Sequence, residues 1–222
     1  MGKKHDLWIC CLQETYLKIR MRWKVKKWKK ISCKWKFKKA VVTILISDKT
    51  DFKTKAIIRE KEGHYIIPIQ KEVITLVNIY TLNVGTHKYI KKILVDFKGE
   101  INSNTIIAGD FNIPLLSTNR SSRQKINKKT PSLNDTNDQM DWSDIYITFH
   151  STAAEYTLFS STHGKFLKID HLLGHKISLN KFRKIEIIPS ILSEHNGMKL
   201  NKLKFKKSET IKHREAKWHI IK

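Results

Sequence analysis

The sequence predicts a single α/β domain built as a two-sheet sandwich. Three observations predict it. Short apolar or alternating runs recur along nearly the whole chain, as β-strands do. Two stretches change to helical spacing between them. At 222 residues the chain suits one large domain with a real core, and 40% of its residues are hydrophobic, which sets it apart from disordered compositions. No internal repeat and no Gly/Ser linker divides it, so residues 1–205 read as one domain and 206–222 as a basic C-terminal tail.

The elements follow in order. Leu7 to Gln13 reads as a buried strand running into Glu14. Residues 18–39 hold 12 Lys or Arg in 22 positions, with Trp23, Trp28 and Trp35 interleaved. The alternation of Arg20, Arg22, Lys24 and Lys26 favours a strand with one charged face over an amphipathic helix. A nucleic-acid or nuclear-import patch, a basic hairpin whose tryptophans pack on the sheet, and a cationic membrane-surface segment are all open readings. Val41 to Ser47 is β-branched and apolar, a strand. Tyr65 to Ile69 and Val73 to Tyr80 are two more. Ile90, Ile93, Leu94, Phe97 and Ile101 then recur at helical spacing, which predicts a helix over 86–102. Thr105 to Ala108 is a short strand ending in Gly109-Asp110-Phe111-Asn112. Residues 115–140 are polar and loop-rich, and Trp142, Ile145, Tyr146 and Phe149 fit a helix. Strands follow at Tyr156–Ser160, Phe166–Leu173, Phe182–Ile188 and Met198–Phe205.

Charge bounds the partners. Lys and Arg total 44 against 20 Asp and Glu, a formal +24, which favours a polyanion such as a nucleic-acid backbone. No apolar run reaches the roughly 18 residues that span a bilayer, and Leu7 to Leu12 is too short for a secretory signal core. The three cysteines, Cys10, Cys11 and Cys33, have neither a disulfide pattern nor CxxC zinc spacing. They read as core or strand residues of a reducing compartment, nuclear or cytoplasmic, in a protein that is not secreted.

Several polar residues fall at strand ends, where a sheet presents them to a cleft. Glu14 follows the first strand. Asp110 and Asn112 follow Thr105–Ala108. Asp170 lies in Lys168-Ile169-Asp170-His171, and Glu194 and His195 precede the last strand. Taken singly, each is an ordinary turn, cap or solvated residue. Together, carboxylates, an amide and a histidine are what metal-assisted phosphodiester hydrolysis needs. A hard divalent cation takes carboxylate oxygens, a histidine held by a carboxylate donates to phosphate, and a second carboxylate aligns and deprotonates water.

The ordered set narrows the reading. Cys11-Leu12-Gln13-Glu14-Thr15, Val77-Asn78-Ile79-Tyr80, Gly109-Asp110-Phe111-Asn112, Ile169-Asp170-His171 and Ser193-Glu194-His195 resemble, in sequence order, the motif series of the endonuclease/exonuclease/phosphatase superfamily, with its DNase I-like fold. Ser47-Asp48-Lys49-Thr50-Asp51-Phe52, Lys61-Glu62-Gly63-His64-Tyr65, Arg120-Ser121-Ser122-Arg123-Gln124-Lys125 and Glu155-Tyr156-Thr157-Leu158-Phe159-Ser160 look like the endonuclease domain of LINE-type retrotransposons. The stretches around Arg120 and Tyr156 speak for this group over the phosphatases that act on inositol phosphates. The resemblance runs from about residue 7 to about residue 205.

That resemblance implies a DNA endonuclease using Mg²⁺, or Mn²⁺ in its place, that nicks one strand and leaves a 3′-hydroxyl. By it, Glu14 matches the metal-binding glutamate, and Glu194 stands where the family has a metal-binding aspartate. Tyr80 matches the tyrosine facing the scissile phosphate. Asp110 and Asn112 match the pair that orients the attacking water, and His195 the phosphate-contacting histidine, with Asp170 its carboxylate partner. Arg120, Thr157, Asn83 and Ser193 match DNA-contacting positions. Two departures bear on activity. Family members begin with a strand carrying a catalytic asparagine, and none of the 13 residues before Glu14 resembles it, so the sandwich is expected to lack its first strand. Glu194 carries one methylene more than aspartate, and a misplacement of about 1 Å costs on the order of 10²-fold in rate. The alternative is a catalytically dead, basic nucleic-acid-binding remnant of the same domain. The chain reads as a monomer with no membrane segment and no reverse-transcriptase segment.

Overall fold

The computed structural model describes residues 9–13, 28–34, 40–47, 53–54, 58–59, 65–66, 69–71, 74–81, 86–96, 102–115, 141–161, 164–190, 194–202 and 217–221. Its strands are β1 (Ile9–Gln13), β2 (Trp28–Lys34), β3 (Ala40–Ser47), β4 (Lys53–Thr54), β5 (Ile58–Arg59), β6 (Tyr65–Ile66), β7 (Ile69–Lys71) and β8 (Ile74–Tyr80). Helix α1 (Thr86–Asp96) follows, then β9 (Thr105–Asp110), β10 (Trp142–Asp144) and the short helix α2 (Ile145–Phe149). The chain continues through β11 (Leu158–Ser160), β12 (Lys165–Leu167), β13 (Asp170–His175), a 3₁₀ turn (Lys176–Lys181), β14 (Phe182–Ile188), β15 (Gly197–Lys202) and β16 (Lys217–Ile221).

Two six-stranded sheets form the sandwich, in the orders β14-β15-β16-β1-β3-β2 and β10-β13-β9-β8-β7-β4. Alternation along the strands explains why they stack. Ile9 and Cys11 of β1, with Val42, Ile44 and Ile46 of β3, face the interior from the first sheet. Leu76 and Tyr80 of β8, Ile106 and Ala108 of β9 and Leu172 of β13 face it from the second. The intervening residues of the second sheet point outward, and α1 covers them: Tyr89, Ile90 and Ile93 pack on Val77, Ile79, Ile107 and Leu173. These strands are therefore apolar on both faces, as strands buried on both sides are. Burial pushes the Cys10 thiol up to about 12, and the Cys11 thiol well above its ordinary value as well, so both are unreactive core residues.

The α/β sandwich expected from the sequence is the fold observed, and its elements differ in places: the strand expected over Tyr65–Ile69 is divided between β6 and β7, and Trp142, expected in a helix, lies in β10. The helix runs over Thr86–Asp96, and residues 97–101 lie outside the described ones. The single strand expected over Phe166–Leu173 is two, β12 and β13, broken at Lys168 and Ile169. There the Lys168 side chain turns inward to a buried carboxylate, and the ladder gives way to a side-chain acceptor for the Ile169 N–H. Lastly, the expected tail is not all tail, and the place beside β1 is not empty. Lys217–Ile221 form β16, paired parallel to β1 and antiparallel to β15. The segment alternates, and the register sets Trp218 opposite Ile9 and Leu200, and Ile220 opposite Cys11 and Met198. All four of those neighbours are buried core residues. Among the described residues, no helix is long and apolar enough to cross a membrane.

Candidate active site

The site is assembled at one end of the second sheet by strand register. Tyr80, the last residue of β8, lies opposite Asp110, the last residue of β9. Asp110 lies in turn opposite Asp170, the first residue of β13. Directly paired residues share a face, so the three form a row across the sheet. By alternation that row continues the inward-facing positions Ala108 and Leu172. Asp110 is fully buried and Asp170 is 2% exposed. Like charges set directly opposite repel, all the more where water is excluded. The arrangement has to be compensated locally.

Part of the compensation is His195, whose Nδ1 donates to Asp170 Oδ2 at 2.9 Å. His195 reaches the row because the backbone before β15 is pinned to the start of β11. Asn196 N donates to the Thr157 carbonyl at 2.7 Å, and Asn196 Nδ2 to the Tyr156 carbonyl at 3.2 Å. Ligand atoms of Asp110, Asp170 and His195 all lie within 4.8 Å of one another. Two facing carboxylates are the oxygen donors a hard divalent cation takes, and their mutual repulsion is what such a cation would relieve, so the residues present fit one.

Asn112 leaves the end of β9 in the left-handed region, φ 53°, which asparagine tolerates better than most residues. Its backbone N–H donates to Asp110 Oδ1 at 2.8 Å, and its Nδ2 to the Thr81 carbonyl at 2.5 Å. Thr81 Oγ1 donates to the Phe111 carbonyl at 2.8 Å. With Nδ2 turned back to β8, the Asn112 amide is fixed in orientation relative to Asp110.

Thr157 is placed otherwise than expected. It is wholly buried, and its Oγ1 accepts the N–H groups of Ile169 and Asp170 at 3.1 and 3.2 Å. It orients the start of β13 rather than lying on the surface. Glu194 stands outside the cluster: its Oε1 accepts from Ser161 Oγ at 3.3 Å, on the hairpin of β11 and β12. Glu14, Asn83, Arg120 and Ser193 lie outside the described residues, although β1 ends at Gln13 and directs the chain into Glu14.

Sequence reasoning missed two polar groups behind the row. Gln13 Nε2 donates across the interior to Asn78 Oδ1 at 3.1 Å and to the Ile79 carbonyl at 3.2 Å, tying the two sheets together beside the site. On the other face of β13, Asp144 accepts from Lys168 Nζ and His171 Nδ1, both at 2.7 Å. Lys168 Nζ also sits 4.9 Å from the centre of the Tyr146 ring. Burial pushes the Asp144 carboxyl up. The Lys168 charge, with the His171 hydrogen bond and charge, outweighs burial and holds it well below the usual carboxylate range. The signal for both groups was a polar residue at an apolar position of a strand pattern, as Asn78 is in Ile74–Tyr80.

The architecture is the DNase I-like fold seen in solved endonucleases and exonucleases. Among solved structures, the endonuclease domain of TRAS1, a telomere-specific non-LTR retrotransposon, matches with a TM-score of 0.67 at 14% identity, covering 90% of this chain and 87% of that one. An AP endonuclease from Archaeoglobus fulgidus matches at 0.66 and 13%, covering 85% and 86%. The 3′-5′ exonuclease NExo from Neisseria meningitidis matches at 0.66 and 17%, covering 85% and 86%. No family model matches the chain.

Proposed function

We propose that the protein is a divalent-metal-dependent DNA endonuclease of retrotransposon type, hydrolysing a phosphodiester at the end of the second sheet marked by the Tyr80–Asp110–Asp170 row. The observation that carries this reading is the convergence of Asp110, Asp170 and His195, drawn from two adjacent strand ends and the segment before β15. The +24 charge supports a nucleic-acid partner, and the nuclease names borne by proteins of the same fold support DNA.

With Nδ1 committed to Asp170, His195 meets a phosphate oxygen through Nε2 and donates to it. Asp170 fixes the ring's tautomer and steadies the charge that develops there. Asp110 accepts the proton of the attacking water, and Asn112, its Nδ2 held by Thr81, offers Oδ1 to orient that water. Tyr80, beside Asp110, faces the phosphate. Asp110 and Asp170, with Glu14, the residue that follows β1 in the sequence, would hold Mg²⁺ or Mn²⁺. The ion supplies a Lewis acid toward the phosphate and the leaving oxygen. Arg120, Asn83 and Ser193 contact the DNA flanks, and the protein meets its substrate as a monomer in the nucleus or cytoplasm.

The test is nicking of supercoiled plasmid with Mg²⁺, beside EDTA and His195→Ala. Nicking should fall by on the order of 10²-fold or more in both, as expected for removing a transition-state donor or the metal. A specific observation favours a second reading, binding without cleavage: Glu194 accepts from Ser161 Oγ and is not among the clustered ligands Asp110, Asp170 and His195. Wild-type protein that retards DNA on a gel and never nicks it establishes that reading instead.

A further inference from the structure

Strand β13 carries two histidine–carboxylate arrangements back to back. On the inward face, Asp170 holds His195. On the opposite face the next residue, His171, is held by Asp144. His171 is fully buried, and its ring is engaged at both ends: Nδ1 donates to Asp144 Oδ2 at 2.7 Å, and Nε2 to the carbonyl of Ile113 at 2.9 Å. Its ring centroid lies 5.3 Å from that of Phe111. His171 therefore touches the residue on each side of Asn112.

The anchor is rigid. Asp144 Oδ1 accepts the N–H groups of Tyr146 and Ile147 at 2.8 and 3.3 Å, capping α2, while Oδ2 takes Lys168 and His171. A carboxylate offers about four lone-pair directions, and here four donors use them. Such a group has no freedom to rotate and carry His171 with it. The Phe111–Ile113 segment is thus gripped from two sides. Thr81, just past the end of β8, holds Phe111 and Asn112, and His171 holds Ile113 from the other face of β13. Between the grips lies the one residue of the segment with positive φ, Asn112.

We propose that His171, anchored by Asp144 and Lys168, is a positioning residue that sets the orientation of Asn112 and Asp110 toward the nucleophile. The role rests on the hydrolytic reading of the site. It acts through the Ile113 carbonyl, without contact between His171 and the substrate. Because a displacement of about 1 Å in a positioning group costs up to about 10²-fold, the effect belongs in kcat and not in DNA affinity.

The test is His171→Phe, which keeps a ring beside Phe111 and removes both hydrogen bonds, with two readouts. Plasmid nicking should show kcat lower by about 10- to 100-fold with KM unchanged. Amide hydrogen exchange should quicken at Asn112 and Ile113 while Ile107 and Leu173, in the β9–β13 ladder, keep wild-type protection. His171→Gln, which retains a donor for one acceptor, should fall between wild type and His171→Phe in both readouts, and it decides the matter should His171→Phe not fold. A variant with wild-type kcat, or one in which KM rises in step, overturns the positioning role while leaving the nuclease reading intact. Wild-type protein that cuts nothing overturns the nuclease reading, and positioning for catalysis with it. Unchanged exchange at Asn112 and Ile113 rejects the grip itself, whatever the activity.

Discussion

Thr157 and Asp170 are joined by a bond that makes a buried hydroxyl responsible for the placement of a charged residue. Thr157 Oγ1 accepts the Asp170 N–H at 3.2 Å and the Ile169 N–H at 3.1 Å, at the point where the chain passes from β12 into β13. Thr157→Val keeps the shape and removes the acceptor. Leaving a buried N–H without a partner costs roughly 1–3 kcal/mol. The valine variant should therefore be less stable by about 2 kcal/mol or more, seen as a lower urea midpoint, and should nick more slowly because Asp170 is less well fixed. Thr157→Ser, which restores the oxygen, should recover most of both. A valine variant with the wild-type midpoint would show that the two amides find another acceptor.

What the sequence reveals and what it hides divide along a physical line. Asp110, Asp170 and His195 are legible because polar residues stand out where an apolar run ends, and strand ends are where a sheet meets its cleft. Their register is not: that Tyr80, Asp110 and Asp170 fall in one row depends on how β8, β9 and β13 pair, which is settled by long-range contacts. Thr157 is legible as a residue of interest but not as a buried one. Its role comes from accepting amides 12 and 13 residues further on. Asp144 falls inside the helix read from Trp142, Ile145, Tyr146 and Phe149, and nothing local shows that it caps a shorter one or that Lys168 and His171 converge on it. A lysine 1% exposed runs against the ordinary expectation for its type. The same limit explains β16, whose alternation is visible in Lys217–Ile221 while its partners, β1 and β15, are not.

Gly109 lets β8 and β9 approach at the site. A Cβ placed there would lie 1.9 Å from the Ile79 carbonyl oxygen and 2.8 Å from its carbon. Both are backbone atoms of the neighbouring strand and neither can swing aside. Gly109→Ala must push the strands apart between Tyr80 and Asp110, so it should destabilise by about 3 kcal/mol or more, the upper range for overpacking. Thermal unfolding followed by tryptophan fluorescence would show it. A melting temperature within a few degrees of wild type would contradict the tight pairing of these two strands.

Acid should release the Asp144 anchor. The carboxyl is held below its ordinary 3.8 by Lys168 and His171 against the opposing effect of burial. A depressed folded-state value contributes stability that is present above the unfolded value, about 3.9, and is lost as pH falls toward the folded one. Wild-type stability should thus drop between about pH 5 and about pH 2. In Asp144→Asn the contribution of this group to that slope is absent. At neutral pH the variant should already be weaker by about 3–5 kcal/mol, since Lys168 is left buried without its counter-charge. Urea titrations across the acid range for both proteins check this. Parallel pH profiles would mean that other carboxylates govern the acid transition.

Removal of the last strand should divide the first sheet. β16 stands third of six, between β15 and β1, and pairs at four positions on each side. Without it β14 and β15 lose their connection to β1, β3 and β2, and two interior edges stand with unmatched N–H and C=O groups. Buried edges of that kind are too costly to keep. The division would also fall within the site, since β15 follows His195 and β1 runs into Glu14. A chain ending at Ala216 should therefore lose its cooperative urea transition and its near-ultraviolet dichroism, and should aggregate through the opened edges. Replacing Trp218 and Ile220 with lysine in the full chain should weaken the same sheet with its length unchanged, because the register sets those residues opposite buried Ile9, Leu200, Cys11 and Met198. A shortened chain that unfolds cooperatively at the wild-type midpoint would show that β1 and β15 hold together without the C-terminal strand.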